Sequence, residues 1–498
     1  MMHGIVQGVA TALAPVNLVM VLLGCLAGTV IGMIPGLGPI TAIALIIPLT
    51  YQLDPASALI LMAGVYYGAV FGGSTSSILI NAPGESSSVA TMFDGHPLAR
   101  QGQAGKALAI AAYASFAGGS VAALLLLFAA PALAAVALSF HSPDYFAIAV
   151  LALTSVSAFA GRGQLVKGAL MAAGGLALAT VGQDVASDVP RFTFGTMQLL
   201  DGLDFLLLAM AVFALSEAFL GVLRPELGPS EALAPPRLAA LRLSRSETRE
   251  ILPTMGRSSL LGFLVGILPG AGATLASFLA YAAERALAPA ARRAEFGHGS
   301  LRGLAAPEAA SGAASTGAFV PLLTLGVPGS GTTAVILAAL LSYGVQPGPR
   351  LMLDRPDVFW SVIVSMYVGN LVLLALNLPA IPWLARVLLV PRRLLVPLIV
   401  FFSIAGVYVT SLSAIDVAMM VAIALAATLL RLLDYPMPPL VLAFVLGPMM
   451  EENLRRSVIL SDGTFAFLWH RPVPILVGGV CLALLGYRAW AWAAGRRQ

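Results

Sequence analysis

GTVIGMIPGLGPITA, residues 28–42, comes round again as GFLVGILPGAGATLA, residues 262–276. Gly28, Gly32, Pro35, Gly36, Gly38 and Ala42 recur as Gly262, Gly266, Pro269, Gly270, Gly272 and Ala276, at a constant offset of 234. A second Pro-Gly block follows each copy, NAPGESSS at 81–88 and GVPGSGTT at 326–333, offset by 245. Composition alone, 33 Pro and 50 Gly among 498 residues, gives about three Pro-Gly pairs, and the chain has five. The information lies in the order and spacing of two blocks inside apolar sequence, seen twice. Proline removes a backbone donor and glycine admits φ values other residues avoid, so each block breaks a helix. Broken helices at matching places in two halves point to the binding site of a secondary transporter.

The surrounding composition agrees. At 59% hydrophobic, 10% charged and a mean hydropathy of +0.93, an ordinary soluble domain is excluded. Apolar runs recur along the whole length, so the fold class is an all-α polytopic membrane protein of about 10–12 transmembrane helices, some broken or re-entrant. The N-terminus lacks the charged start and cleavage site of a secretory signal, and its first apolar segment is expected to remain. Cys25 and Cys481 lie in separate apolar segments and read as free thiols. The five histidines, His3, His96, His141, His298 and His470, have no metal-ligand spacing, and no nucleic-acid partner is expected.

Helices are expected over 17–34, broken at Pro35-Gly36, then to Tyr51, over 56–80, and near 107–128, 143–160 and 164–182. Further helices follow near 394–410, 414–432 and 472–490. The stretch DGHPLARQGQAGK, 94–106, reads as a polar loop. Residues 184–204 carry Asp184, Asp188, Asp201 and Asp204 against Arg191 alone, whereas 224–257 is rich in arginine. The positive-inside rule puts 94–106, 161–167, 224–257 and 285–302 in the cytoplasm and 184–204 outside. Residues 1–223 then form an N-terminal membrane half containing repeat 1 (about 17–128), and 224–257 is a linker. Residues 258–498 form a C-terminal half with repeat 2 (about 258–378). The turn near Asp54 falls outside and its counterpart 285–302 inside, so the repeats have inverted topology.

The chemistry is expected at the breaks. The substrate- or ion-binding candidates are Pro35, Gly36, Gly38, Asn81, Pro83, Gly84, Glu85, Ser86, Ser87 and Ser88, with Pro269, Gly270, Gly272, Gly326, Pro328, Gly329, Ser330, Thr332 and Thr333. Half-helix N-termini expose N–H groups to anions, and C-termini expose carbonyls to cations. Gly and Ser in apolar helices are more often packing residues. Glu85 and Glu308, in or beside apolar stretches, are costly there and functional by default, although Glu85 also suits a cap. Tryptophans and tyrosines read mostly as interface anchors. Neither lysine, Lys106 or Lys167, stands in a phosphate-binding loop, so an ion gradient is the expected energy source. A channel is the second reading, disfavoured because channels rarely need paired broken repeats. An intramembrane enzyme is the third, but no Ser/His pairing or metal-ligand cluster appears in the apolar segments.

Long segments carry a resemblance: VYYGAVFGGSTSSILINAPGESSSVATMFDGHPLARQGQAGKAL at 65–108, AAPEAA at 305–310, PLLTLGVPG at 321–329, QPGPRLM at 346–352 and GPMMEENLRRS at 447–457. These are similar to the large membrane subunit of the tripartite tricarboxylate transporters, the TctA family, over nearly the whole chain. The resemblance implies a multi-pass protein of the bacterial inner membrane and a cation-coupled importer, most often using sodium, of tri- or dicarboxylates such as citrate, or of another small organic anion. A proton is the other coupling ion, and no cofactor is implied. It also implies two partners, a small four-helix membrane subunit and a periplasmic solute-binding protein. Relatives commonly read PEAANNAA where this chain has PEAASGAA, so Ser311 and Gly312 stand in for two amides.

Overall fold

A computed structural model of the chain describes residues 2–34, 37–159, 165–184, 187–223, 241, 243–269, 272–380, 383 and 392–495. Among these, the only strands are Gly182–Gln183 (β1) and Pro190–Arg191 (β2), a short antiparallel pair. The remaining regular backbone is helical, so the protein is an all-α polytopic membrane protein. Six of its described helices are long and apolar enough to cross a membrane, and five shorter apolar helices accompany them.

The first copy runs through α1 (Met2–Ala12), α2 (Pro15–Gly32), α3 (Pro39–Thr50), α4 (Pro55–Ile80), α5 (Val89–Leu98) and α6 (Ala104–Ala137). Then come α7 (Ser142–Phe159), α8 (Leu165–Ala179), α9 (Phe205–Ala209) and α10 (Ser216–Leu223). The second copy comprises α11 (Arg245–Ile267), α12 (Gly272–Leu287), α13 (Ala290–Arg293), α14 (Leu301–Gly317), α15 (Phe319–Leu325), α16 (Gly331–Ser342), α17 (Leu351–Asp354) and α18 (Pro356–Asn377). Helices α19 (Arg392–Ser411), α20 (Ala414–Leu432), α21 (Pro438–Leu460), α22 (Phe467–His470) and α23 (Pro472–Gly495) complete the chain.

Helix α4 shows why these residues form these elements. Pro55 occupies the first position, where no donor is needed, and the Asp54 carboxylate accepts from the Ser57 N–H at 3.1 Å. Every residue from Ala56 to Ile80 is buried, as expected of a helix apolar on all sides. Asn81 ends it in the left-handed region at φ 53°. Helix α14 is its counterpart, capped by Ser300 and buried from Gly303 to Gly317.

Small residues set the packing. A Cβ on Gly28 or Gly32 would lie 2.8 Å from the Cα of Val65 and 2.5 Å from that of Ala69. In the second copy, Gly262 and Gly266 meet Ala310 and Ala314, each at 2.7 Å from the Cα. The contacting positions are themselves related by the offsets 234 and 245, so the sequence repeat is also a repeat of contacts. Such stripes let helices approach closely where lipid offers no hydrophobic drive to association.

Each copy opens with a hairpin of broken helices. Helix α12 returns along α11, since Glu284 accepts from Thr254 at 2.9 Å and from Arg257 at 2.8 Å. Helix α4 begins beside the start of α2, where the Ser57 hydroxyl donates to Asn17 at 2.5 Å. Helices α3 and α16 have 12 residues each. At 1.5 Å per residue each reaches about 18 Å, well short of a hydrocarbon layer of about 30 Å. The copies also interlock: α6 lies against α11 and α14, while α18 lies against α2 and α4.

Four expectations change. The polar stretch 94–106 is not a loop: α5 continues through a π turn over Ala99–Gln103, kinked at Gly102 (φ 80°), into α6. Asp94 is buried there because its carboxylate accepts from the N–H groups of Gly297, Gly299 and Ser300 at 2.8–2.9 Å. Second, residues 438–460 form a helix that the sequence reading left out, because GPMMEENLRRS interrupts its apolar run. Those charges pair instead, Glu451 with Arg191 at 2.8 Å and Arg455 with Asp184 at 2.7 Å. Third, Tyr66, Tyr67 and Trp360 are buried in the core rather than anchored at an interface. Last, the stretch read as a linker is helical from Arg245, where α11 begins on a capping box of Ser244 and Glu247; most of the linker, 224–240 and Arg242, lies outside the described residues.

Candidate functional site

The second break of each copy follows the same path. Asn81 and Gly326 both cap their helices in the left-handed region, at φ 53° and 68°. Glu85 and Ser330 both sit in extended backbone, at φ/ψ of −144°/168° and −152°/169°. Glycine between them is required by close approach. A Cβ on Gly84 would lie 2.6 Å from the Cα of Gly73, and one on Gly329 would lie 2.8 Å from the Cα of Ala318. Gly73 and Ala318 are again 245 apart.

The breaks of the two copies converge. Ser86 and Thr274 share a hydrogen bond of 2.8 Å across the copies, at the start of α12. The Ser311 hydroxyl on α14 donates to Ser87 at 3.3 Å. The contact related to it by the offset 245 is Tyr66 of α4 with Thr332, and Tyr66 also lies 3.4 Å from Ser330. A Cβ on Gly331 would come 3.1 Å from Ile40 of α3. Gly38 lies 3.5 Å, measured from its notional Cβ, from Glu85, and Gly272 similarly lies 3.8 Å from Ser330.

Not every candidate is free to bind. Ser330 and Thr333 cap α16 reciprocally, with Ser330 N–H donating to Thr333 at 2.8 Å and Thr333 N–H to Ser330 at 3.2 Å. Ser88 donates to the Glu85 carbonyl at 2.8 Å, and Ser87 donates to the Glu85 carboxylate. Asn81 and Ser86 are exposed and Glu85 is half-buried, whereas Gly326, Pro328, Gly329, Ser330, Thr332 and Thr333 are all buried. Pro83 is half-buried and Pro269 buried; Pro35, Gly36 and Gly270 lie outside the described residues.

Glu308 is buried at 2% exposure on α14 and accepts from the Thr91 hydroxyl of α5 at 2.5 Å, with Ser74 of α4 also beside it. No ion pair of the described residues includes Glu85 or Glu308. The arrangement therefore offers hydroxyl and N–H donors, and carboxylate, hydroxyl and carbonyl oxygens, without a cationic side chain. Such oxygens suit a hard cation, and the donors suit a carboxylate.

Sequence reasoning singled out Glu308 and marked Ser311 as a departure from the family pattern, but did not find Tyr66, Thr91 or Thr274. Their contacts join segments more than 180 residues apart, and only the repeat offset hinted that equivalent positions face one another. A cavity of about 300 Å³ lies elsewhere, between α8, α16, α21 and the 184–204 loop. Its walls include Leu178, Phe205, Ala338, Phe444 and Pro448, with Asp201 and Ser342 as polar exceptions. It lacks the convergent polar groups of the breaks.

A protein of Agrobacterium vitis described as an uncharacterized 52.8 kDa protein in the TAR-I ttuC' 3' region is 44% identical over 481 residues, 96% of this chain and 94% of that protein. A second protein of Agrobacterium vitis, described as an uncharacterized protein in the TAR-II ttuC' 3' region, is 42% identical over 227 residues, 45% of this chain and 93% of its own length. No solved structure matches. The family model of the tripartite tricarboxylate transporter TctA family matches residues 18–442, and the chain belongs to that transporter family.

Proposed function

We propose that this chain is the large transmembrane subunit of a cation-coupled importer, driven by sodium or protons, that carries small di- or tricarboxylates across the bacterial inner membrane. Its partners are a small four-helix membrane subunit and a periplasmic solute-binding protein that delivers the substrate. The observation that carries the reading is the convergence of the helix breaks, joined by the 2.8 Å contact of Ser86 and Thr274. A broken helix at membrane depth must face protein or a polar cavity, because lipid cannot satisfy its backbone.

Contacts at the helix ends support inverted repeats. Lys167 donates to the Leu433 carbonyl at 2.6 Å, Arg455 pairs with Asp184, and Arg471 pairs with Asp144 at 2.8 Å. With α21 counted, α23 ends on the side of Lys167, which matches the Arg496-Arg497 signal for the cytoplasm. The α2–α3 hairpin then enters from outside and the α11–α12 hairpin from inside. Exchanging the conformations of the two copies would turn the site from one face to the other.

The test is uptake into vesicles holding both membrane subunits, supplied with the binding protein and a panel of di- and tricarboxylates. Accumulation should follow an imposed sodium or proton gradient and need no ATP. Uptake indifferent to both gradients, or uptake driven by ATP, would remove the proposal.

A further inference from the structure

The buried carboxylates of the described residues, with the half-buried Glu85 and Glu217 beside them, fall into two sets. In the first, each carboxylate is met by a cation or by backbone N–H donors. Glu284 is held by Arg257 and Thr254, Asp144 by Arg471, Glu217 by Arg431 and Asp184 by Arg455. Asp94 has three backbone N–H donors. The second set is Glu85 and Glu308, whose side-chain oxygens meet the hydroxyls of Ser87, and of Thr91 and Ser74. Hydroxyls orient a carboxylate but do not cancel its charge, and an uncompensated charge inside a membrane protein is expensive.

The geometry points to Glu308, with the hydroxyls of Thr91 and Ser74, as the site that takes up the monovalent driving cation, Na⁺ or H⁺. This inference rests on the cation-coupled reading above and deepens it. Glu308 belongs to the second copy, while Thr91 and Ser74 belong to the first. The site therefore straddles the seam that must move when access alternates. A relative shift of the copies would change the oxygen set around Glu308, and so the affinity for the cation differs between the two states, which is what coupling requires.

Glu85 explains the order of events. It is the charged group that faces Glu308 from the elements packed on α14, and it lies at the open break. Of the other charged residues on those elements, Asp94, Lys106, Glu247, Glu250, Arg257 and Glu284 are held in contacts of their own, and Arg245, Arg249 and Arg285 are exposed. A carboxylate substrate entering at Ser86 meets the negative field of Glu85 and Glu308 until a cation compensates it. Substrate binding is then conditional on cation binding.

The experiment uses the full chain in lipid nanodiscs and reads melting temperature against Na⁺, with choline replacing it at constant ionic strength, and separately against pH. The wild-type chain should be stabilised by Na⁺ at fixed pH if Na⁺ is the cation, or show a pH dependence without a Na⁺ response if it is H⁺. Glu308→Gln should lose that response. Thr91→Val should raise the half-saturating Na⁺ concentration, or displace the pH midpoint, by at least threefold in cation concentration. Glu308→Asp should respond with a displaced midpoint, and it serves with Thr91→Val if the Gln variant does not fold. A wild-type response in Glu308→Gln, or unchanged midpoints in both other variants, overturns the site while leaving coupling intact. A wild-type chain that responds to neither cation overturns both.

Discussion

Asn81 and Gly326 close their helices in the same left-handed conformation, and Glu85 and Ser330 occupy the same extended backbone, yet the two breaks present different chemistry. The first ends in a carboxylate, with Asn81 and Ser86 exposed. The second is buried, and its hydroxyls are drawn into a reciprocal cap between Ser330 and Thr333. A pair of matched positions tells the same story: Tyr66 of the first copy reaches across to Ser330 and Thr332, while its equivalent, Ser311, reaches Ser87. Backbone demands are met identically in both copies, because the break geometry allows few alternatives. Side chains are free to diverge, and their divergence separates an open, acidic face from a closed, rigid one.

If the shared backbone is the scaffold, its glycines should be equally intolerant. Gly84→Val and Gly329→Val place new atoms against the Cα of Gly73 and Ala318, at 2.6 and 2.8 Å already for the Cβ. Backbone cannot yield as a flexible side chain does, so each variant is expected to lose about 1–3 kcal/mol or more from overpacking. Uptake should fall to background in both, with a lowered melting temperature in nanodiscs. One variant transporting at the wild-type rate would break the equivalence of the two breaks.

How much of this was legible from sequence depended on the range of the interaction. The repeat, the breaks and the small-residue stripes are local patterns, and Gly28, Gly84 and Gly329 could be read from them. Tyr66 could not, because its identity as a tyrosine fits an interface anchor equally well until Ser330 is seen opposite. The polar helix over 438–460 was hidden for a related reason: Glu451 and Arg455 are unfavourable in an apolar span until Arg191 and Asp184 arrive to pair with them. Asp94 likewise reads as a loop residue until three N–H groups from residues 297–300 surround it. Local propensity marks where chains bend, and only tertiary contact decides whether a polar residue there is solvated or enclosed.

The divergence in side chains predicts a smaller, split effect. Ser86→Ala and Thr274→Val each remove one partner of the 2.8 Å contact at the open break. Each is expected to cost about 0.5–1.5 kcal/mol, roughly threefold to tenfold in substrate affinity. Because they act as a pair, the double variant should lose little more than either single one. Ser330→Ala should behave otherwise, lowering stability by about 1 kcal/mol as a lost cap does, with affinity unmoved. Binding titrations beside thermal melts of the same four proteins read the distinction. If Ser330→Ala weakens affinity as much as Ser86→Ala, the second break is a ligand surface too, and the two breaks do not differ in role.

The helices that lead into the first breaks also differ at their N-termini, and pH probes that difference. Helix α2 starts at Pro15 after Ala14, without a side-chain cap, whereas α11 starts on the Ser244–Glu247 capping box. Lys106 of α6 lies 2.7 Å from Glu247, ahead of the apolar part of α11. The Lys106 hydrogen bond, followed by that of the Ser244 N–H, holds the Glu247 carboxyl at about 2, below its ordinary 4.5. A depressed folded value means that stability is present in full above the unfolded value and is lost as pH falls toward the folded one. The melting temperature of the wild-type chain should therefore exceed that of Glu247→Gln by a constant margin above pH 4.5, and the margin should close as pH drops toward 2. Glu247 is 21% exposed, so salt screens the pair, and the margin should be the smallest effect predicted here and shrink further at high ionic strength. A margin that persists unchanged at low pH would mean that Glu247 acts through packing alone, and that the two entry helices differ in shape rather than in charge.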